Sequence, residues 1–390
     1  MGKSLLRRTA AVCIIAAGFW FIGALYAIAM RGKKPGLEGD YIGYWAAGQQ
    51  LIRHADPFDP EPLLRIEAAA GFDRAAPSIT PSPPVTFLLL LPLGFIDAWT
   101  GLILWSMAMM AALAGSLWML WSLSGRPNTL LPLLGFCFAP ALVCMFGGQI
   151  GVFFLLSITA FFYFVESRPL VAGMVLLPCL MKPHLFLALG VALLLWIFDR
   201  RQWRMLAGFA LALAVSTSAT LYFDPHVFAH YAQSVRATDV VNRVTPTLPV
   251  LLRHTLAPGA AWLEFLPAAL SCAWAAWFYV RRCANWNWLR EGLLVLLVAR
   301  LSAPYAWFSD EAVILPAVMI TLLRARKRHG VLWLSAGLAA VELAQVYKRM
   351  DMKTYAYAWT APAWLAWYLY ATRNLVAAAE KARGAASLED

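Results

Sequence analysis

The chain has 390 residues, 61% hydrophobic and 14% charged, with 18 tryptophans and a mean hydropathy of +0.64. That composition excludes an ordinary soluble domain and implies a single integral membrane domain over residues 1–390. The net charge of +11 sits in Lys/Arg clusters between apolar runs, the pattern of cytoplasmic anchoring, and gives no case for nucleic acid as a partner.

The first apolar run, Thr9 to Met30, follows Lys3, Arg7 and Arg8. At about 22 residues it is longer than a signal-peptide core and reads as an uncleaved signal anchor. Residues 31–83 then form a polar loop. Within it "GDYIGYWAAGQQLI" spaces Tyr41, Tyr44, Trp45, Gly48 and Leu51 at helical intervals, which predicts an amphipathic helix lying along the membrane interface. The run "PPVTFLLLLPLGF" that follows would make roughly 20 Å of helix, against roughly 30 Å of hydrocarbon, and three prolines punctuate it. It is expected to enter the membrane without crossing, as a re-entrant helix over 84–96.

Further spans are expected near 98–121, 129–146, 150–165, 169–182, 184–198, 205–223, 262–280, 289–303, 311–323, 331–346 and 354–372. With the first, that makes about twelve in an all-α polytopic fold. The basic clusters Arg200, Arg201 and Arg204, then Arg281, Arg282 and Arg290, then Arg324 to His329 belong in the cytoplasm. Both termini fall on that side. The loop 31–83, the turns at 146–151, 181–184 and 302–311, the loop 224–261 and "YKRMDMK" at 347–353 fall outside, so the remaining polar residues collect on one face. For a bacterial envelope this is the outer side of the inner membrane.

Several of these residues carry possible chemistry. Asp40 opens the predicted helix, where an N-cap is the ordinary role of an aspartate. Lys182 lies at the extracytoplasmic end of a span, against the positive-inside rule, and Pro183 breaks the chain before His184. A polar turn at membrane depth is tolerated where it lines a cavity. Arg300 and Glu342 are ionisable groups inside spans, and either serve function or pair with each other. Lys182, His184 and Arg300 suit a phosphate whose lipid tail stays in the bilayer. "GGQIG" adds glycines that let backbone N–H groups approach an anion, and Gln149 as a donor.

No P-loop, nucleophile elbow, dinucleotide fingerprint or zinc-protease motif is present. His226 and His230 lie at i, i+4 without a nearby third ligand, so an interfacial helix is the better reading and no metal or cofactor is expected. The six cysteines show no C-x-x-C pair and read as packing.

In order and spacing, "GDYIGYWAAGQQLIRHADPFDP", "PSPPVTFLLLLPLGF", "GGQIGVFFLLSI", "RPLVAGMVLLPCLMKPHLFLALGVALLL" and "SAPYAWFSDEAVILP" resemble glycosyltransferase family 87. This group of GT-C membrane enzymes includes polyprenyl-phosphate-mannose-dependent alpha-mannosyltransferases. The likeness runs from about Gly39 to Pro316. It implies a GT-C-type fold, a polyprenyl-phosphate sugar as donor, mannose as the expected sugar, and a lipid or glycan acceptor met on the extracytoplasmic face. It places the catalytic base on Asp40, in the 31–83 loop. The family carries a histidine where this chain has Ser309, Asp310 or Glu311, so a second carboxylate, Asp310 or Glu311, is a candidate to share the work.

Direct displacement with one carboxylate base inverts the anomeric centre. Tyr44, Trp45, Tyr305 and Trp307 are candidates to flank the sugar, against the alternative of an aromatic belt. Lys348 and Arg349 are candidates for an anionic acceptor. The rival reading is a transporter or flippase of a lipid-linked anion, for which paired halves and a midplane site would be expected.

Overall fold

A computed structural model of the protein describes residues 39–71, 75–237, 244–348 and 355–386, with side chains to 373. The expected first span, Arg349 and most of "YKRMDMK" lie outside the described residues. All elements there are helical. Among the described residues, four helices are long and apolar enough to cross a membrane: α3 (Ala98–Leu123), α8 (Trp203–Phe223), α11 (Trp262–Arg282) and α14 (His329–Tyr347). Their outward faces carry exposed apolar side chains such as Ile103, Met107, Leu211, Leu270 and Trp333, as lipid contact requires.

Between them run α4 (Ala139–Phe146), α5 (Gly151–Phe164), α6 (Pro169–Met174), α7 (Leu187–Asp199), α12 (Leu293–Leu301) and α13 (Leu315–Arg324). Among the described residues, four of the expected spans are helices of spanning length, and the count of twelve is not confirmed. Proline recurs where helices are interrupted. The stretch expected over 129–146 breaks into a 3-10 segment, Leu131–Cys137, before α4, which has Pro140 in its first turn. The stretch over 169–182 breaks in the same way, α6 giving way to a 3-10 segment at Leu177–Met181 that carries Pro178. The run before α13 is a 3-10 segment, Phe308–Ile314, followed by Pro316. Proline removes a donor and clashes with the preceding turn, so each interruption frees backbone groups that must be met within the protein.

The run after Pro83 shows how they are met. It forms two 3-10 segments, Pro84–Leu89 and Leu91–Phe95. α1 (Tyr41–Ile52) packs against the second. Gln49 Nε2 donates to the carbonyls of Gly94 (2.9 Å) and Ile96 (3.0 Å). Trp45 Nε1 donates to Ile96 and the Tyr41 hydroxyl to Ala98, each at 2.9 Å. The expectation of an amphipathic interfacial α1 is therefore corrected: Tyr41 to Leu51 are buried on every side of the helix. Its polar residues face backbone rather than water.

α2 (Pro60–Ala69) is capped by the Asp59 side chain and α3 by that of Asp97. The loop 224–261 contains α9 (Val227–Ala237) and α10 (Leu248–Leu256). The remaining helix is α15 (Thr360–Ala386). α4 and α5 both pack on Phe308–Ile314, which brings the turn between them against the segment 302–311.

Candidate functional site

Asp40 lies just before α1 with helical dihedrals (φ −68°, ψ −19°), and its side chain makes no capping hydrogen bond. The ordinary role of an aspartate at this position is thus not taken up. Its backbone N–H instead donates to the Gly147 carbonyl at 2.9 Å. That approach requires glycine at 39, where a Cβ would collide with the same carbonyl oxygen. It also requires Gly148, which has φ +62° and packs so closely on Tyr41 that a Cβ would lie 2.7 Å from that residue's own. Trp105 Nε1 fixes the turn through the Gly148 carbonyl at 3.0 Å.

From this turn the contacts lead to the segment 302–311. Gln149 Oε1 accepts a hydrogen bond from the Ser309 hydroxyl, and the Cys144 thiol donates to the Ser309 carbonyl at 3.1 Å. Next to Ser309, both Asp310 carboxylate oxygens accept from Lys182 Nζ, at 2.8 and 2.9 Å. Asp310 Oδ2 also accepts from the Trp307 N–H at 2.8 Å. Lys182 and His184 sit in the turn between the 3-10 segments Leu177–Met181 and Pro183–Leu185, ahead of α7. His184 packs edge-on to Tyr305, and Tyr305 to Trp307, each pair with centroids 5.6 Å apart. His184 Nε2 is buried without a hydrogen-bond partner.

Charge follows from this packing. Burial by itself pulls the Lys182 ammonium down, but Asp310, with Tyr305 and Asp40 adding to it, holds it above the usual lysine range. His184 goes the other way: burial and the adjacent Lys182 charge push its imidazole down to about 4, so it is neutral at pH 7. The Tyr44 phenol is raised well above its ordinary value by burial, then by Asp40 and Asp310, which places both carboxylates in its surroundings.

Arg300 and Glu311 lie one layer deeper. Arg300 Nη2 reaches Glu311 Oε1 at 3.0 Å, and both side chains are 1% exposed. Arg300 also donates to the Trp307 carbonyl at 3.2 Å, and Thr360 Oγ1 to Glu311 Oε1 at 2.7 Å. The ion pair considered from sequence between Arg300 and Glu342 does not form. Glu342 instead accepts from Trp364 Nε1 at 2.6 Å, between α14 and α15.

The structure therefore brings Asp40, Tyr44, Gln149, Lys182, His184, Trp307 and Asp310 together around three turns, with Arg300 and Glu311 beneath. Trp45 is turned toward Ile96 by its indole bond. Lys348 is exposed at the end of α14. His226 and His230 do not come together as ligands: His230 Nδ1 lies 2.8 Å from Asp224 Oδ2. Among the described residues no group of three or more His, Cys, Asp or Glu side chains is placed to hold a metal ion.

Sequence reasoning did not foresee Asp310 as the partner of Lys182, Ser309 as the partner of Gln149, or Thr360 on Glu311. The one available signal was an acidic pair on the same outer face as an otherwise unexplained lysine.

In comparison with protein families, residues 82–304 match the model described as Glycosyltransferase family 87, more than half of the chain. No curated protein and no solved structure matches the chain. Gln149, Lys182, His184 and Arg300 lie inside the matched stretch, and Asp40 and Ser309–Glu311 outside it.

Proposed function

The chain belongs to glycosyltransferase family 87 and is a membrane glycosyltransferase, and from that premise we propose that it moves mannose from a polyprenyl-phosphate donor to a lipid or glycan acceptor with inversion, Asp40 acting as general base. The observation that carries this reading is the position of Asp40. Its side chain is not used as a helix cap, and its backbone is tied to the glycine turn that leads through Gln149 and Ser309 to the Lys182–Asp310 pair.

In the proposed reaction Asp40 takes the proton of an acceptor hydroxyl as that oxygen attacks the anomeric carbon. The anomeric C–O bond to phosphate breaks, and the bonding pair leaves with the phosphate. A β-linked donor then gives an α-linked product. General-base assistance typically contributes on the order of 10²- to 10⁴-fold. The rest is asked of groups that stabilise charge on the leaving phosphate.

Lys182 suits that role. Its ammonium has three protons, of which two meet Asp310. One stays available to a phosphate oxygen. Asp310 is the positioning partner that holds the ammonium charged and aimed, its carboxylate accepting from Lys182 and from the Trp307 N–H. His184, neutral at pH 7, contributes as a hydrogen-bond donor rather than as a second cation. Arg300, engaged by Glu311 and Trp307, supports the turn from beneath. Reaction on the extracytoplasmic side of the inner membrane, within the loop 31–83 and its re-entrant neighbour 84–96, belongs to the same proposal. The transporter alternative loses its ground, since the family supports group transfer.

A transfer assay tests it: purified enzyme, radiolabelled polyprenyl-phosphate mannose and membrane lipid extract, with wild type beside Asp40→Asn. Label moved by wild type and not by a folded variant supports the base. Equal transfer by both proteins overturns it.

A further inference from the structure

At the end of the bundle away from Asp40, a polar recess of about 620 Å³ is lined by Asn285, Trp286, Asn287, Arg290 and Arg324. Its walls come from separate elements. α11 ends at Arg282, Trp288–Gly292 forms a π-helical turn that leads into α12, and α13 ends at Arg324. The extra residue of a π turn widens the backbone and recurs at functional positions.

These ends are stitched together by guanidinium-to-carbonyl bonds. Arg324 Nη1 donates to Leu289 at 3.0 Å, and Arg200 Nη2, at the end of α7, donates to Cys283 at 2.7 Å.

Positive charge here exceeds negative. Arg282 and Arg290 share the single carboxylate of Glu291, at 4.0 and 2.6 Å, and Arg200 has Asp199 at 3.4 Å. Arg324 makes no ion pair among the described residues. The indole N–H of Trp286, a lining residue, is buried with no acceptor. A buried donor without a partner is uncommon in a finished structure. With Arg290 and Arg282 sharing one carboxylate and Arg324 having none among the described residues, the recess is short of negative charge.

Exposed apolar side chains lie at the helix ends that converge here: Phe198 near the end of α7, and Trp277 and Val280 along the last turns of α11. An anion bound here with an acyl chain would rest that chain on an apolar surface.

We propose that this recess binds the phosphate of an anionic membrane lipid, with Arg324 and Arg290 supplying the positive charge, and that the bound headgroup locks the ends of α11, α12 and α13 together. Arg324, which has no carboxylate partner among the described residues, suits charge-assisted bonds to phosphate oxygens, and Arg290, held by Glu291, adds positive charge beside it. The basic clusters put this end in the cytoplasmic leaflet, whose anionic lipids attract such sites. The inference depends on the chain spanning a membrane and not on the identity of the sugar donor.

The test is native mass spectrometry of the full chain released from detergent, with phosphatidic acid, phosphatidylcholine or inorganic phosphate added. Adducts are counted on folded molecules alone, so a destabilised variant remains readable. Wild type should retain phosphatidic acid in preference to phosphatidylcholine, and Arg324→Gln should weaken retention about tenfold, as expected for losing a charged hydrogen-bonding partner. Arg324→Lys should fall between them, and Arg236→Gln, on α9, should match wild type. Retention of inorganic phosphate equal to that of phosphatidic acid would keep the anion site and reassign its occupant to a soluble phosphate. Equal retention of both lipids, or no effect of Arg324→Gln, would overturn the proposal.

Discussion

Replacing Arg300 with Met removes a guanidinium that is 1% exposed and faces a carboxylate equally enclosed. At their 3.0 Å separation, an effective dielectric of about 20 gives an attraction of about 5 kcal/mol. Against it stands the desolvation of both ions, which is several kcal/mol for each. The net worth of the pair is therefore small, and the damage lies in orphaning one member. Met at 300 leaves the Glu311 carboxylate with Thr360 as its polar contact and strips the Trp307 carbonyl of a donor. Arg300→Met is expected to lose about 3–5 kcal/mol, and Glu311→Gln a similar amount. The double variant, with neither charge, should recover to within about 1–2 kcal/mol of wild type.

The assay is unfolding in mixed detergent and SDS, followed by tryptophan fluorescence, for all four corners of the cycle. Single losses that add to within about 0.5 kcal/mol in the double variant would refute the reasoning. Donor KM in the recovered double variant then reads the role of Arg300. A value near wild type means support of the Trp307 turn, and a large rise means direct contact with donor phosphate.

Asp40→Asn should lower transfer by about 10²- to 10⁴-fold while leaving the unfolding midpoint close to wild type, because no side-chain cap is lost. Gly39→Ala should also abolish transfer, since its Cβ would push Asp40 away from the Gly147 carbonyl; activity near wild type would remove the turn from the site.

His184 has a folded pKa of about 4 against 6.5 for an ordinary histidine, so the unfolded chain binds the extra proton between those values. Stability should fall as pH drops from 6.5 toward 4, by an amount on the order of 3 kcal/mol. His184→Gln should flatten that part of the profile, and an unchanged slope would count against a buried neutral imidazole. Asp310→Asn should raise donor KM more than Ser309→Ala does, because it alone frees Lys182 from its partner.

The helical membrane character, the four long spans and the convergence of the polar turns were legible because hydropathy and basic clusters are local signals. Helix α1 was misread for an equally physical reason. Its stripe of Tyr41, Tyr44, Trp45, Gly48 and Leu51 reads as an interfacial face until the carbonyls of Gly94 and Ile96, some 45 residues on, are placed against Gln49 and Trp45. Lys182 could be singled out from its place at the wrong end of a span, but its partner Asp310, 128 residues away, could not. Pairing at that range depends on how α4 and α5 pack on Phe308–Ile314, and no periodicity in the chain encodes it. Prolines mark the short segment at 84–96, and the same chemistry at 140, 178 and 316 breaks helices that hydropathy alone reads as continuous.

The bonds from α1 to the carbonyls of Gly94, Ile96 and Ala98 also set an order for biogenesis. α1 leaves the ribosome before the proline-rich segment that needs its side chains. If α1 has already reached the far side, that segment meets its donors as it enters the bilayer. With α1 retained, the same carbonyls would confront hydrocarbon, and quality-control proteolysis would have a reason to act before any sugar is moved.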